Sequence, residues 1–202
     1  MKHLVVYVHG KGGSADEAEH YRPLFADCEV AGFDYRAQTP WEARLEFPRF
    51  FDPLRAKYAS LTLIANSIGA FFSMTSLSGK QVDRALFISP IVDMEKLIAD
   101  MMARAGVTEE ELRARGEILL ESGETLSRDW LDDVRHHPVQ WTVPTRILYG
   151  ERDFLTSFET MSGFAARTGA SLMAMPGGEH WFHTPEQMAF LDRWIRESSP
   201  RS

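Results

Sequence analysis

The sequence predicts an α/β protein, a mostly parallel sheet of about six strands with helices on both faces. Six short apolar runs, over residues 4–8, 29–35, 61–66, 84–89, 145–149 and 171–175, have the length and composition of strands. Helix-start signals stand between and after them: Ser14-Ala15-Asp16-Glu17, Thr39-Pro40-Trp41-Glu42 and Thr184-Pro185-Glu186-Gln187. The 202 residues suffice for one substantial core, so residues 1–202 are expected to form a single domain.

The elements follow in order. The first strand runs into His9-Gly10-Lys11-Gly12-Gly13, and the capping box at Ser14 then starts a helix reaching about Phe25. A second helix opens with Pro40 at its first position, and Pro48 and Pro53 are expected to kink or split it. The third strand breaks at Ser67 into a helix over 68–77. The last helix is capped by Thr184 and ends near Arg196, beyond which the tail 198–202 is expected to fray.

One segment departs from the alternation. About fifty residues, 91–140, separate the fourth strand from the fifth and carry three helix signals, at Asp93, Thr108 and Ser127. The first helix has Met94, Leu97, Ile98, Met101 and Met102 on one face. The segment contains 12 acidic and 6 basic residues and so holds −6 of the chain's net charge of −7. A long excursion from the carboxyl end of a strand commonly covers a site, so this insert is expected to be a helical lid. The Met stripe serves equally as ordinary helix core.

Composition removes several classes. A net charge of −7 argues against a nucleic-acid partner. The single cysteine, Cys28, excludes an internal disulfide, reads as a small hydrophobe, and fits a reducing, cytoplasmic location. No run approaches a membrane span, and residues 2–8 read at once as a strand rather than a signal peptide. The glycines at 10, 12 and 13 lack dinucleotide spacing, there is no phosphate-binding G-x-x-x-x-G-K-[ST], and no ligand cluster has metal spacing. No cofactor is expected.

The chemistry gathers at strand ends. A strand that turns sharply into a helix holds the residue between them in a strained conformation, and the residues two before and two after must be small. Ala65 and Gly69 meet this condition around Ser67, a variant of the G-x-S-x-G nucleophile elbow. Serine needs a base, a group to orient the base, and donors for an oxyanion. Of seven histidines, His180 stands in the glycine-rich loop Pro176-Gly177-Gly178-Glu179-His180-Trp181 after the last strand. His183 precedes the final helix cap and is expected to face away. His136 and His137 suit a helix C-terminus. Asp153, just past the fifth strand, is the orienting acid, with Asp93 as the reserve and Glu151 expected to pair with an arginine. The N–H of Ile68 and that of Lys11, or of Gly12 beside it, are the oxyanion donors.

These four stretches, His9-Gly10, Ala65-Asn66-Ser67-Ile68-Gly69, Gly150-Glu151-Arg152-Asp153 and Gly178-Glu179-His180, resemble the α/β-hydrolase superfamily, in the chain order Ser, Asp, His. The resemblance covers nearly the whole chain, with Ala65 in place of the usual first glycine and the two opening antiparallel strands missing. It implies the α/β-hydrolase fold and a serine hydrolase acting on a small-molecule carboxylic ester or thioester. A serine nucleophile argues against the branches that cleave epoxides and haloalkanes. Phe71, Met94, Phe154 and Trp181 are expected to line an apolar or aromatic pocket. A peptidase or amidase with the same triad, and a binding protein without catalysis, are the alternatives.

Overall fold

All six expected strands form in the computed structural model, which describes residues 2–198. In chain order the strands are β1 (His3–Val8), β2 (Cys28–Gly32), β3 (Ser60–Asn66), β4 (Arg84–Ile88), β5 (Glu117–Leu119), β6 (Thr125–Ser127), β7 (Thr145–Gly150) and β8 (Ser171–Met175). The α-helices are α1 (Pro40–Phe51), α2 (Ile68–Ser76), α3 (Met94–Ala105), α4 (Glu109–Arg115), α5 (Arg128–His136), α6 (Phe158–Thr168) and α7 (Pro185–Ser198). The main sheet has the order β2-β1-β3-β4-β7-β8, every neighbouring pair parallel. The chain leaves β1 for one side of the sheet and returns as β3 on the other. That reversal opens a crevice at the carboxyl ends of β1 and β3, where α/β sheets place their ligands.

The four central strands, β1, β3, β4 and β7, are mostly apolar because both of their faces are covered, while the edge strands β2 and β8 are partly exposed. Along β1, Leu4, Val6 and Val8 enter one core with Leu63, Phe87 and Ile147, against Ala43, Phe47 and Phe51 of α1 and Met161 and Phe164 of α6. The alternate residues Val5 and Tyr7 enter a second core with Ile64, Leu86 and Leu148, against Tyr21 and against Leu191, Trp194 and Ile195 of α7. Fully burying each such side chain contributes roughly 1.5–3 kcal/mol.

Two expectations about helices are corrected. The segment after Ser14 is a 3-10 helix, Ala15–Leu24, rather than an α-helix. Its buried residues, Ala18 and Tyr21, lie three apart and match a threefold turn. Helix α1 runs through Pro48, held by Ala43, Phe47 and Phe51 on its buried face, and gives way to a 3-10 turn, Asp52–Ala56, at Pro53. At the carboxyl end, Ser198 belongs to α7 and its hydroxyl donates to Trp194 O, so it is not frayed; positions 199–202 lie outside the described residues.

The insert forms its three helices with the expected caps, Asp93, Thr108 and Ser127. It also contains an unforeseen antiparallel hairpin, β5–β6. The Met stripe of α3 is core: Met94, Ile98 and Met102 are buried. Arg44 of α1 is paired with Asp133 of α5, and the ring of Trp130 stacks on Phe71 at 6.3 Å. Among the described residues no helix is long and apolar enough to cross a membrane.

Candidate active site

Ser67 occupies the step between β3 and α2 with φ 51° and ψ −120°, a backbone conformation that non-glycine residues rarely adopt. The neighbouring strand holds it there. The Ser67 N–H donates to Ile88 O at 3.0 Å, and its carbonyl accepts from Ile91 N–H at 3.1 Å and Ala70 N–H at 3.2 Å. The need for a small residue at 69 has a specific source: a Cβ on Gly69 would lie 2.3 Å from His9 O. The elbow and the loop after β1 are therefore seated directly on one another.

That loop is a tight turn closed by Gly13 N–H on Gly10 O at 3.1 Å. The turn leaves the amides of its central residues, Lys11 and Gly12, outside its own hydrogen bond. Gly12 has φ +76°, which favours glycine. A Cβ on Gly10 would lie 3.3 Å from Ser67 Cβ, so the loop runs past the serine at contact distance. Ile68 is the first residue of α2, where a helix has no partner for its N–H. The ring of His9 stacks on Tyr35 at 4.3 Å, and the Tyr35 hydroxyl donates to His9 O.

The other two residues arrive on loops that zip together. Arg152 N–H donates to Gly178 O at 2.7 Å, Glu151 N–H to Met175 O at 3.1 Å, and Gly177 N–H to the Glu151 carboxylate at 2.9 Å. Glu151 thus caps the base loop instead of pairing with an arginine. Gly150 permits this closure, since a Cβ there would lie 2.3 Å from Glu179 O. Asp153 is brought under His180, its side chain fully buried. One carboxylate oxygen accepts from Leu155 N–H at 2.8 Å and Thr156 N–H at 3.2 Å; the other accepts from His180 Nδ1 at 2.7 Å. His180 Nε2 lies 2.8 Å from Ser67 Oγ. With Nδ1–H donating to the carboxylate, Nε2 is the acceptor for the serine hydroxyl.

The remaining candidates separate clearly. Asp93 caps α3, its carboxylate accepting from Lys96 N–H. His183 stacks on Trp181 at 4.4 Å, and its Nδ1 meets Trp181 O. His136 and His137 donate to Asp132 O and Asp133 O at the end of α5. The four expected pocket residues differ in their surroundings. Phe154 and Trp181 are each 67% exposed, and Phe154 meets His180 edge-on at 6.1 Å. Phe71 and Met94 are buried in the larger core. Phe71 also borders a cavity of about 420 Å³ with Val92, Trp141, Phe164 and Arg167, and neither Ser67 nor His180 lines it.

Ser89 was not foreseen. It is fully buried at the end of β4, with φ 42°, and its hydroxyl has no partner among the described residues. It sits between Ile88 and Ile91, the residues whose backbone holds Ser67. Its Ser-Pro step favours extended backbone, so no local signal marks it.

This arrangement is that of the α/β-hydrolase fold, and comparison with solved structures gives the same fold. The mouse alpha/beta hydrolase domain-containing protein 10 superposes with a TM-score of 0.76 at 16% identity, covering 96% of this chain and 88% of that one. Est1E from Butyrivibrio proteoclasticus gives 0.77 at 16% identity, covering 98% and 86%. An esterase from Pyrococcus furiosus gives 0.62 at 19% identity, covering 98% and 80%. No protein-family model and no curated protein sequence matches the chain.

Proposed function

We propose that this protein is a serine hydrolase that cleaves a small carboxylic ester or thioester through an acyl-enzyme. The observation that carries the reading is the unbroken chain from Ser67 Oγ through His180 to the buried Asp153, at 2.8 and 2.7 Å, built on a strained elbow. Ser67 Oγ attacks the carbonyl carbon while His180 Nε2 takes its proton. The N–H groups of Lys11 and Ile68 receive the oxyanion. Collapse expels the alcohol or thiol, which takes the proton from His180. Water then attacks the acyl-enzyme, giving its proton to His180, and the acid leaves as Ser67 is restored. Asp153 keeps the imidazole in the tautomer that accepts from serine. Among the matched structures, that from Pyrococcus furiosus is an esterase, which supports an ester substrate.

Phe154 and Trp181, exposed and next in the chain to Asp153 and His180, offer apolar surface to the acyl or alcohol group. The insert serves as a lid over that mouth. Support comes from two contacts on opposite walls: Lys11 Nζ pairs with Glu124 of the hairpin turn at 2.6 Å, and Arg104 of α3 donates to Phe154 O at 3.3 Å. Residues 1–202 act as one catalytic domain, and the lone thiol of Cys28 suits the cytoplasm. The test is turnover of p-nitrophenyl esters of graded acyl length. Ser67→Ala should abolish it, with wild type showing a length preference. Full activity in Ser67→Ala would remove the mechanism, and a flat length series would remove the apolar mouth.

A further inference from the structure

Behind the loop after β1 lies a polar chain that the proposed reaction does not touch. Tyr7 is 2% exposed, its ring 5.1 Å from that of Tyr21. Its hydroxyl donates to one oxygen of Glu17, and the Asn66 side chain, next to Ser67, interacts with the same hydroxyl. The other Glu17 oxygen accepts from Ser14 N–H at 3.1 Å. A Cβ on Gly13 would lie 2.5 Å from that oxygen, so the backbone of Gly13 rests directly on the carboxylate. At its opposite end the loop rests on the elbow through Gly10, whose Cβ would lie 3.5 Å from Asn66 O. Tyr7 joins the two ends from beneath. Burial, with the neighbouring Tyr21 and Glu17, raises its pKa, which favours the protonated, donating phenol.

We infer that the Tyr7–Glu17 pair is a positioning device for the oxyanion loop, fixing the amide of Lys11 relative to Ser67 Oγ through the backbone of residues 10–14. The inference rests on the proposed hydrolase reading. The proposed reaction uses neither side chain directly. What the pair supplies is a fixed donor position, and a donor counts most when the oxyanion develops, so its loss falls on the transition state rather than on substrate binding.

Three variants separate positioning from simple structure. Tyr7→Phe keeps the ring and removes only the hydroxyl, Glu17→Ala removes the carboxylate, and Glu17→Gln keeps an oxygen that can accept. On a p-nitrophenyl ester, kcat should fall about tenfold in Tyr7→Phe and Glu17→Ala while KM stays within about twofold. Affinity for a boronic acid that forms a tetrahedral adduct on Ser67 should fall by the same factor, and Glu17→Gln should regain most of both. Amide hydrogen exchange at residues 10–14 should quicken in the first two variants. Unchanged kcat and boronate affinity in folded variants would overturn the inference, as would exchange equal to wild type. A wild type that hydrolyses no ester would instead overturn the proposed function. Amide exchange would still report whether the pair holds the loop.

Discussion

The carboxyl edge of the main sheet and the insert between β4 and β7 touch through Lys11 with Glu124 and Arg104 with Phe154, but different forces hold them. At the sheet edge, backbone lies against backbone with no room for a further carbon: Gly69 against His9, and Gly150 against Glu179. Ser67 and Asp153 follow β3 and β7, which are buried on both faces, and His180 is held to them through the backbone contacts of the acid and base loops. The insert joins the core through the buried faces of α3 and α5, while its outer parts rest on helix caps and solvent-facing ion pairs. Arg135 bridges Glu95 and Glu109, Lys96 pairs with Asp100, and Arg128 with Asp132. Exposed pairs of this kind contribute about 0–1 kcal/mol each. The contacts around Ser67, Asp153 and His180 thus leave no room for an added atom, while the outer contacts of the insert tolerate a good deal.

The contrast can be broken first at the triad. Asp153→Asn should lower kcat by roughly 10⁴-fold in a folded protein, because the buried amide no longer holds the imidazole in the accepting tautomer. Ester hydrolysis beside a thermal melt checks this. Next comes Gly150, one of the two glycines in backbone contact. Gly150→Ala should cost about 1–3 kcal/mol of stability and on the order of 10²-fold in kcat by prising the acid and base loops apart. Chemical denaturation and steady-state kinetics read the two effects separately.

On the insert the expected effects are smaller and of another kind. Removing both tethers across the mouth, with Glu124→Gln and Arg104→Ala, should change stability by about 1 kcal/mol or less. It should alter the acyl-length profile more than the rate on the shortest ester. A uniform loss across the series would place these residues in the catalytic geometry. The smallest effect is electrostatic. Backbone N–H and Thr108 hydroxyl donors hold the Glu111 carboxylate below its usual range, so its contribution is present above the ordinary carboxylate pKa and lost as pH falls through the lowered value. Glu111→Gln should therefore lower the melting temperature slightly at neutral pH and flatten its fall below about pH 4.5.

This difference also explains what was legible in the sequence. A strand buried on both faces leaves an apolar run, and a residue that must sit at its end follows within a few positions. The positions of Ser67 and Asp153 after β3 and β7 could be read for that reason, whereas His180 follows the half-exposed edge strand β8 and was marked instead by its glycine-rich loop. The 3-10 geometry after Ser14 was hidden, because a capping box starts either kind of turn. The β5–β6 hairpin has three-residue strands, too short to show a period. Glu151 and Ser89 were misread or missed because their settings arise from strands far apart in the chain. The same holds for the Tyr7–Glu17 contact, which joins a strand residue to a helix cap. Phe71 and Met94 suit a pocket by type, and their burial in the larger core, with Phe71 also bordering a cavity, shows only in the packing.

The central claim is that Ser67 is activated by His180. Its most direct test is labelling by a fluorophosphonate probe, comparing wild type, Ser67→Ala and His180→Ala, with a melt to confirm that each is folded. The account predicts rapid labelling of wild type, none of Ser67→Ala, and a rate reduced by orders of magnitude in His180→Ala. Labelling of His180→Ala at the wild-type rate, or of Ser67→Ala at all at that rate, would contradict it.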